Sequence, residues 1–548
     1  MTLLELLTKE AGDERRRLLV AANVAGIANV ALLASVNVAV QLSTDEQLRA
    51  LILFVLLIAL YALCALYTGR RTSELIEAGL HRIKVRVGER IAKAELEALE
   101  RVRAAEICDR ITENTTFITE RSGAIATMMQ SMTIMVFAIA YVAWLSPPAF
   151  ALVGLLCGGG AMMFVLLRRE FVVHVQQTAR QRVTFFERLA DMLSGSKEIR
   201  FSRRRSREVR EDIIAASDAL REAGTKSSNL MADGMLLGEG VLFALLTAVV
   251  YVLRSHVEVD ARLLTRLVAA VMFIWGPFMG LTLGVLPYIR SNIALAQIDA
   301  LEQKLEAALQ EDKPEQKAED PWKGRVTTIE ARDIEYSYPA DNGGERFHIG
   351  PLSLTLEAGQ IVFIVGGNGS GKSTFLKTLT GLYAPSAGSV RASGVAVGPE
   401  NVVWFRDMIS AIFSDFHLFA KLYGLAGVEE EAVHRLLTLM QLEEKTSFAH
   451  RKFTKLTLST GQRKRIAMVV ALLEDRPICV FDEWAADQDV QFRRYFYEEL
   501  LPSLRRAGKL VIVVSHDDRY FHCADRVVKM EYGKIRSIEE PRAAQAAP

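Results

Sequence analysis

From Leu18 to Val40 the chain carries no charged residue, and a run of about 20 apolar residues is what an α-helix needs to cross a bilayer. Arg15, Arg16 and Arg17 precede it, as in a secretory signal. The apolar core of such a signal is only about 7–15 residues long, so this stretch reads as a span. Five more follow: Leu51–Tyr67, Ala124–Leu145, Ala149–Leu167, Met235–Leu253 and Leu263–Tyr288. Each is read as a transmembrane helix. Residues 1–299 are therefore expected to form a polytopic α-helical membrane domain with six spans in three close pairs. Half of the 548 residues are hydrophobic and the mean hydropathy is slightly positive, which a soluble chain of this size rarely reaches. The net charge of +1 says little, because the charges are unevenly placed.

The turns within each pair are short: Gln41–Leu48 with Asp45 and Glu46, Ser146–Pro148, and Ser255–Ala261 with Glu258 and Asp260. The connections between pairs, Arg70–Arg121 and Arg168–Met231, are long and rich in Lys and Arg. Positive charge close to the spans marks the cytoplasmic side, so the long connections and both termini are assigned to the cytoplasm. Apolar residues recur at helical spacing in Leu75, Gly79 and Ile83 and in Leu96, Leu99 and Val102, so the connections read as helices that continue beyond the bilayer. The run Arg203–Arg205 is read as a solvated face, not as a nucleic-acid or lipid site, and no nucleic-acid partner is expected. Polar or aromatic residues inside spans are candidates for a cargo cavity: Asn23, Asn29, Asn37, Tyr141, Trp144 and Glu239. Glu239 lies between Gly238 and Gly240, where a close helix neighbour is the competing reading. Pro277 is expected to kink the last span.

At residues 300–324 Glu, Lys, Gln and Asp take over, with Pro314 and Pro321 as breakers. This reads as a linker to a second domain over 325–540, with a tail at 541–548. The five cysteines, Cys64, Cys108, Cys157, Cys479 and Cys523, form no CxxC pair, which argues against a disulfide framework or a zinc site.

The second domain opens with a β-rich segment, Val326–Tyr338. An apolar strand, Ile361–Val365, then runs into Gly366-Gly367-Asn368-Gly369-Ser370-Gly371-Lys372-Ser373-Thr374, followed by a helix over Phe375–Leu382. This is the phosphate-loop pattern in the context it requires. Its glycines let backbone N–H groups close around phosphates, Lys372 reaches the β- and γ-phosphates, and Ser373 ligates Mg²⁺. A second apolar strand, Pro477–Phe481, ends in Asp482-Glu483. Asp482 is placed to hold Mg²⁺ and Glu483 to orient or deprotonate the attacking water. A third strand, Leu510–Val514, ends in Ser515-His516, where His516 is read as a γ-phosphate contact. The expected ligands are ATP and Mg²⁺.

These features fit many phosphate-loop ATPases. The segment Leu458-Ser459-Thr460-Gly461-Gln462, about twenty residues before Asp482, resembles the LSGGQ motif of the ATP-binding-cassette family, with Thr460 in place of the first glycine. The resemblance implies that Ser459, Gly461 and Gln462 meet the ATP bound to a second domain. It also implies that Tyr338 stacks on adenine and that Asp489 is the D-loop aspartate. One position departs: in Ile412-Phe413-Ser414-Asp415, Ser414 stands where the family has the Q-loop glutamine, so a metal role for Ser414 is a weaker expectation. By alignment with the family, short coupling helices are expected near Leu96–Arg101 and Phe201–Arg207.

Six spans ahead of one cassette are similar to the type IV exporter layout, and one copy of each half-site implies a homodimer. The Q-loop segment, Leu-Ser-Thr-Gly-Gln-Arg-Lys-Arg and Phe-Asp-Glu-Trp-Ala-Ala-Asp-Gln-Asp resemble the bacterial cyclic-peptide and peptide-siderophore exporters, such as those of pyoverdine, syringomycin and microcin J25. That resemblance implies an inner-membrane protein moving a peptide-like cargo outward. A lipid or hydrophobic-drug exporter, and a channel or regulator on the same scaffold, are the alternatives. With about seventeen residues before the first span, no N-terminal protease domain is expected.

Overall fold

The computed structural model describes residues 2–39, 44–101, 104–253, 255, 260–306, 319–338 and 347–541. The chain divides into two compact units, Met1–Glu89 with Ala104–Gln303, and Arg90–Arg103 with Lys304–Pro548.

The first unit is helical. An amphipathic helix, α1 (Leu3–Ala11), is fixed at its start by a capping box in which Thr2 and Glu5 bond each other's backbone. Its Leu6 packs against Gly79, where a Cβ would come within 2.9 Å of the leucine side chain. Then follow α2 (Arg15–Ala39), α3 (Thr44–Lys93), α4 (Leu96–Arg101, which belongs to the second unit), α5 (Ala104–Leu145), α6 (Pro147–Ser194), α7 (Ser196–Arg200), α8 (Arg203–Thr247) and α9 (Ala261–Glu306). The 50 residues of α3 correspond to about 75 Å of helix at about 1.5 Å per residue, well beyond the ~30 Å hydrocarbon core. Among the described residues five helices are long and apolar enough to cross a membrane, and they carry five of the six expected spans. The remaining span, Ala149–Leu167, lies on α6, whose apolar stretch among the described residues is Pro147–Gly160.

Small residues set the helix spacing. A Cβ at Gly284 would lie 2.3 Å from Met128, and one at Gly160 would lie 2.9 Å from Val241, so α9 meets α5 and α6 meets α8 nearly backbone to side chain. The core of this unit joins Leu33, Val142, Val153, Leu242, Val271 and Ile274. Helix α9 continues through both Pro277 and Pro287.

Two local expectations are corrected. The helix α9 runs on to Glu306, past the expected linker start at residue 300. Leu301 and Leu305 are fully buried at helical spacing, and buried Glu302 pairs with Arg86 at 2.8 Å. The second short helix is Ser196–Arg200, and not Phe201–Arg207, because the Ser202 hydroxyl accepts the Arg205 N–H and starts α8 at Arg203. The residues 307–318 of the expected linker, with Pro314, lie outside the described residues, as do 41–43 and 256–259 of the short turns and 542–548 of the tail.

The second unit is an α/β domain. An antiparallel sheet joins β1 (Thr328–Ser337), β2 (His348–Glu357), β4 (Ala387–Ala392) and β5 (Val395–Ala396) in the order β2-β1-β4-β5. The main sheet uses β3 (Ile361–Val365), β6 (Ile409–Ile412), β9 (Ile478–Asp482), β10 (Leu510–Val514), β11 (Arg526–Glu531) and β12 (Lys534–Glu539), in the order β12-β11-β3-β10-β9-β6. A small hairpin supplies β7 (Phe448–Ala449) and β8 (Lys452–Phe453). The main sheet is parallel except for β12. Every residue of β3, β9 and β10 is buried, as expected of parallel strands covered on both faces. The flanking helices are α10 (Lys372–Leu379), α11 (Val402–Arg406), α12 (Glu430–Leu439), α13 (Thr460–Glu474), α14 (Val490–Tyr495) and α15 (Leu501–Arg506).

Candidate functional site

Register decides where the motifs go. Val514 pairs with both Ile364 and Asp482, so β3, β9 and β10 end level. The residues at and just after their ends, Gly366–Thr374, Asp482-Glu483 and Ser515-His516, meet at the carboxyl edge of the sheet. Ligands of open α/β sheets bind at that edge.

The phosphate loop turns from β3 into α10. Gly371 caps α10 with φ +93, and a Cβ there would come within 2.7 Å of Ile349, so both backbone and space require glycine. The Lys372 ammonium donates to the carbonyls of Gly366 (2.9 Å) and Gly367 (3.0 Å). Burial lowers its pKa, against the opposing charges of Glu483 and Asp482. The Ser373 hydroxyl donates to Asp482 Oδ2 at 3.2 Å. The Asp482 carboxyl is 2% exposed, and burial raises its pKa, opposed by Ser373 and, less, by Ser414. Asp482 Oδ1 and the Ser370 hydroxyl are buried without a hydrogen-bond partner among the described residues. A buried carboxylate oxygen left without a donor beside a serine hydroxyl fits a hard divalent cation, and the donor set is all oxygen.

Glu483 has a left-handed backbone, φ +50. Its Oε1 lies 3.0 Å from His516 Nε2, and a polar cavity of about 320 Å³ lined by Glu483, Ser515, His516, Asp517 and Arg493 opens beside them. The buried Lys464 donates to the Glu483 carbonyl and to Asp487, both at 2.7 Å. No motif of the sequence singles out Lys464, which lies four residues after the start of α13.

Ser459 caps α13, with its hydroxyl accepting the Gln462 N–H and the Gln462 side chain accepting the Ser459 N–H. The helix start, with its free N–H groups, is exposed, the arrangement that receives an anion. Thr460 is the first residue of α13, exposed and helical, so the glycine usual at this position is not needed here. Gly461 is needed: a Cβ would fall 2.4 Å from the Asp487 carbonyl oxygen. Asp489 caps α14 through the Phe492 N–H and pairs with Arg465, and these contacts hold its pKa down. At the far end of the phosphate loop the Tyr338 hydroxyl lies 3.3 Å from Thr374 Oγ1. The structure thus brings Tyr338, Lys372, Ser373, Thr374, Asp482, Glu483 and His516 to one edge, with Ser459, Gly461, Gln462 and Asp489 on an outward-facing ledge.

Three of the six cargo candidates come together. The Asn37 amide reaches the Tyr141 hydroxyl at 3.4 Å, and Tyr141 stands beside Trp144. Asn23 bonds back to the Leu19 carbonyl, Asn29 Oδ1 is buried without a described partner, and Glu239 is exposed. An apolar pocket of about 390 Å³ in this unit is lined by other residues, among them Met135, Cys157, Met163, Leu237, Gly238 and Phe278. Residue type inside a span does not say which way the helix turns it.

A phosphate loop and a capped LSTGQ helix on a cassette, behind long apolar helices, define an ATP-driven membrane transporter. Residues 349–486 match the family model described as ABC transporter. The ATP-binding protein SyrD of Pseudomonas syringae pv. syringae is 30% identical over 530 residues, spanning 94% of this chain and 92% of SyrD. The ATP-dependent lipid A-core flippase of Burkholderia pseudomallei is 30% identical over 219 residues, 38% of this chain and 36% of the flippase. A bacterial Atm1-family ABC exporter with ATP bound has the same fold, with a TM-score of 0.74 at 18% identity over 97% of this chain and 99% of that one. The chain belongs to the ABC transporter family and is an ATP-hydrolysing transporter with the exporter fold.

Proposed function

We propose that the protein is a homodimeric exporter of the bacterial inner membrane that moves a peptide-like cargo outward, with both termini and the cassette in the cytoplasm. The observation that carries the catalytic part is the Glu483–His516 pair, 3.0 Å apart beside the phosphate loop. When bound, Mg²⁺ neutralises charge on the β- and γ-phosphates, and Ser373 and Asp482 are the residues that would hold it. Lys372 exchanges its two carbonyl partners for phosphate oxygens. Glu483 orients the attacking water and takes its proton, and His516 supports the developing charge at the γ-phosphate. Ser459, with the N–H groups it leaves open, serves the site of a second copy, so hydrolysis needs two chains.

The reading of the cargo as peptide-like rests on the resemblance of the cassette motifs to peptide exporters and on the full-length relationship to SyrD. A lipid cargo is the second reading, favoured by the relationship to the flippase. Glu483→Gln in reconstituted vesicles tests the catalytic part: ATP still binds and turnover falls about 10²–10⁴-fold, and wild-type turnover refutes the assignment. ATPase stimulation by cyclic peptides but not by lipid A-type lipids supports the cargo; the reverse pattern replaces it.

A further inference from the structure

We infer that the pocket enclosed by α1, α2, α3 and α5 is a site for one anionic phospholipid, with its phosphate at Arg15 and an acyl chain along the apolar wall. The pocket has a volume of about 220 Å³ and lies wholly within the membrane unit. Leu4 and Leu7 of α1, Leu18 of α2, Leu75 of α3 and Met129 of α5 supply the apolar wall. Its depth follows from the spans. Arg15 precedes the span Leu18–Val40, Thr68 and Thr72 follow Leu51–Tyr67, and Ala126 stands near the start of Ala124–Leu145. Three spans therefore bring the same charged end to the pocket, which puts that end at a membrane interface. From there the lining runs along α5 as far as Thr133, about 14 Å past Ala124 at about 1.5 Å per residue, well into the hydrocarbon. The helix α1 is anchored beside it: the Leu3 N–H donates to Asn292 Oδ1 at 2.8 Å, and Leu6 packs on Gly79.

Two polar features say what fills the pocket. The hydroxyls of Thr8, Thr68 and Thr133 are spent on their own helices, donating to the carbonyls of Glu5 (3.0 Å), Cys64 (2.9 Å) and Met129 (3.3 Å). Gln130 lines the same pocket, and its Nε2 is buried with no acceptor among the described residues. A buried donor left unmet is costly, and the more so beside hydrocarbon, where no water competes for it. A phospholipid carries acceptors to this depth, its ester carbonyls and phosphate oxygens. The second feature is charge. Arg15 lines the pocket and is exposed, and Arg16, Arg17 and Arg70 are exposed with it; none has a carboxylate partner among the described residues. The nearby acids are engaged elsewhere: Glu10 with Arg82, Glu14 with Arg71, and Glu5 with the Thr2 N–H, which leaves exposed Asp13 against the arginines. The surplus is positive, and a guanidinium pairs well with a phosphate. A zwitterionic head would set its own cation among these arginines, so an anionic head fits better. An apolar slot, one unmet donor and an arginine at its mouth match an acyl chain, an ester carbonyl and a phosphate on one molecule.

Native mass spectrometry and melting curves on the full-length protein in detergent test this, with palmitoyl-oleoyl phosphatidylglycerol and the phosphatidylcholine of the same chains as probes. The wild type retains phosphatidylglycerol in preference to phosphatidylcholine, and its melting temperature rises with the former by mass action. Arg15→Gln lowers the affinity for phosphatidylglycerol about fivefold, the worth of one arginine near a membrane surface, and leaves phosphatidylcholine binding unchanged. Gln130→Leu moves two readouts in opposite directions. Without lipid it melts higher than the wild type, because an unmet donor is gone, and the further rise on adding phosphatidylglycerol shrinks. Ala22→Phe, which fills the pocket, abolishes retention of the lipid. Arg210→Gln, an exposed arginine of α8 that does not line the pocket, is the control and changes nothing. Equal retention of the two lipids by the wild type overturns the inference. So does an unaltered preference in both Arg15→Gln and Gln130→Leu, which puts the lipid elsewhere. A Gln130→Leu protein that melts lower without lipid and responds fully to phosphatidylglycerol also overturns it, because the amide then has a partner of its own. Displacement of the retained lipid by a cyclic peptide, one for one, makes the pocket a cargo site and replaces the inference.

Discussion

Gly461→Ala concentrates the reasoning about the LSTGQ segment into one methyl group. The added carbon would stand 2.4 Å from the Asp487 carbonyl oxygen, about 1 Å inside ordinary contact. The obstacle is backbone, so no side chain can swing away. The Gln488 amide also donates to the Gly461 carbonyl at 3.1 Å, and Lys464, one turn on, is tied to Asp487 and Glu483. Relief therefore means moving the start of α13 away from the segment that carries Glu483. Overpacking of this kind costs about 1–3 kcal/mol. For a unit of this size that is a loss of about 2–4 °C in the cassette's melting temperature per kcal/mol. Calorimetry on the full-length protein reads the stability, and ATPase kinetics in vesicles read kcat and KM. The expected pattern is a kcat lowered at least about tenfold with KM for ATP changed less than about threefold, because the phosphate loop is untouched. Thr460→Gly, one residue earlier at the exposed helix start, is the control and leaves kcat near wild type. A Gly461→Ala protein with unaltered melting and kcat refutes the close approach.

Asp482→Asn raises the melting temperature of the nucleotide-free protein at neutral pH while abolishing the further rise on adding Mg²⁺ and ATP. Burial raises the Asp482 pKa, so the folded protein holds this proton more tightly than the unfolded chain. The wild type therefore loses stability relative to the asparagine variant as pH rises through the raised value, and the difference vanishes below about pH 4, near the ordinary carboxylate value. Melting curves from pH 4 to 8 check the sign. Arg86→Ala strips buried Glu302 of its 2.8 Å partner and lowers the stability of the membrane unit by about 1–3 kcal/mol, read by denaturant titration in detergent. Arg86→Lys recovers part of this loss.

What was legible in the sequence was what local pattern encodes. The strands β3, β9 and β10 announce themselves as short apolar runs closed by glycine or by Asp482 and Ser515, and the structure puts them within a residue of where the runs lie. Helix α4 falls on Leu96–Arg101 as expected. The errors came where two signals competed. Around residue 300 charged composition outweighed the buried pair Leu301 and Leu305. Around residue 201 the family alignment points to Phe201–Arg207, whereas the Ser202 cap begins α8 at Arg203 and leaves the short helix at Ser196–Arg200. At the site, motif residues could be named one by one, but contacts made by sequence-distant chain could not. Glu100 and Tyr383 are 283 residues apart, and nothing local in either neighbourhood points to the other. The meeting of Asn37, Tyr141 and Trp144 is hidden for a related reason: an asparagine in a span is visible, the rotation of its helix is not.

The long helices differ in what they can transmit. Helix α3 has no proline in its 50 residues, so its hydrogen-bond ladder is unbroken, and a turn imposed at Lys93 arrives at Thr44 with little lost on the way. Helix α9 contains Pro277 and Pro287, each of which removes one rung and leaves the carbonyl four residues earlier, at Phe273 and Leu283, without its usual donor. One chain thus contains a stiff shaft and a sprung one. Under the same load the shaft reports displacement faithfully, whereas the sprung helix absorbs part of it between two points about 15 Å apart. A spin label moved along α3 should therefore report a single amplitude, and one moved along α9 should report a step.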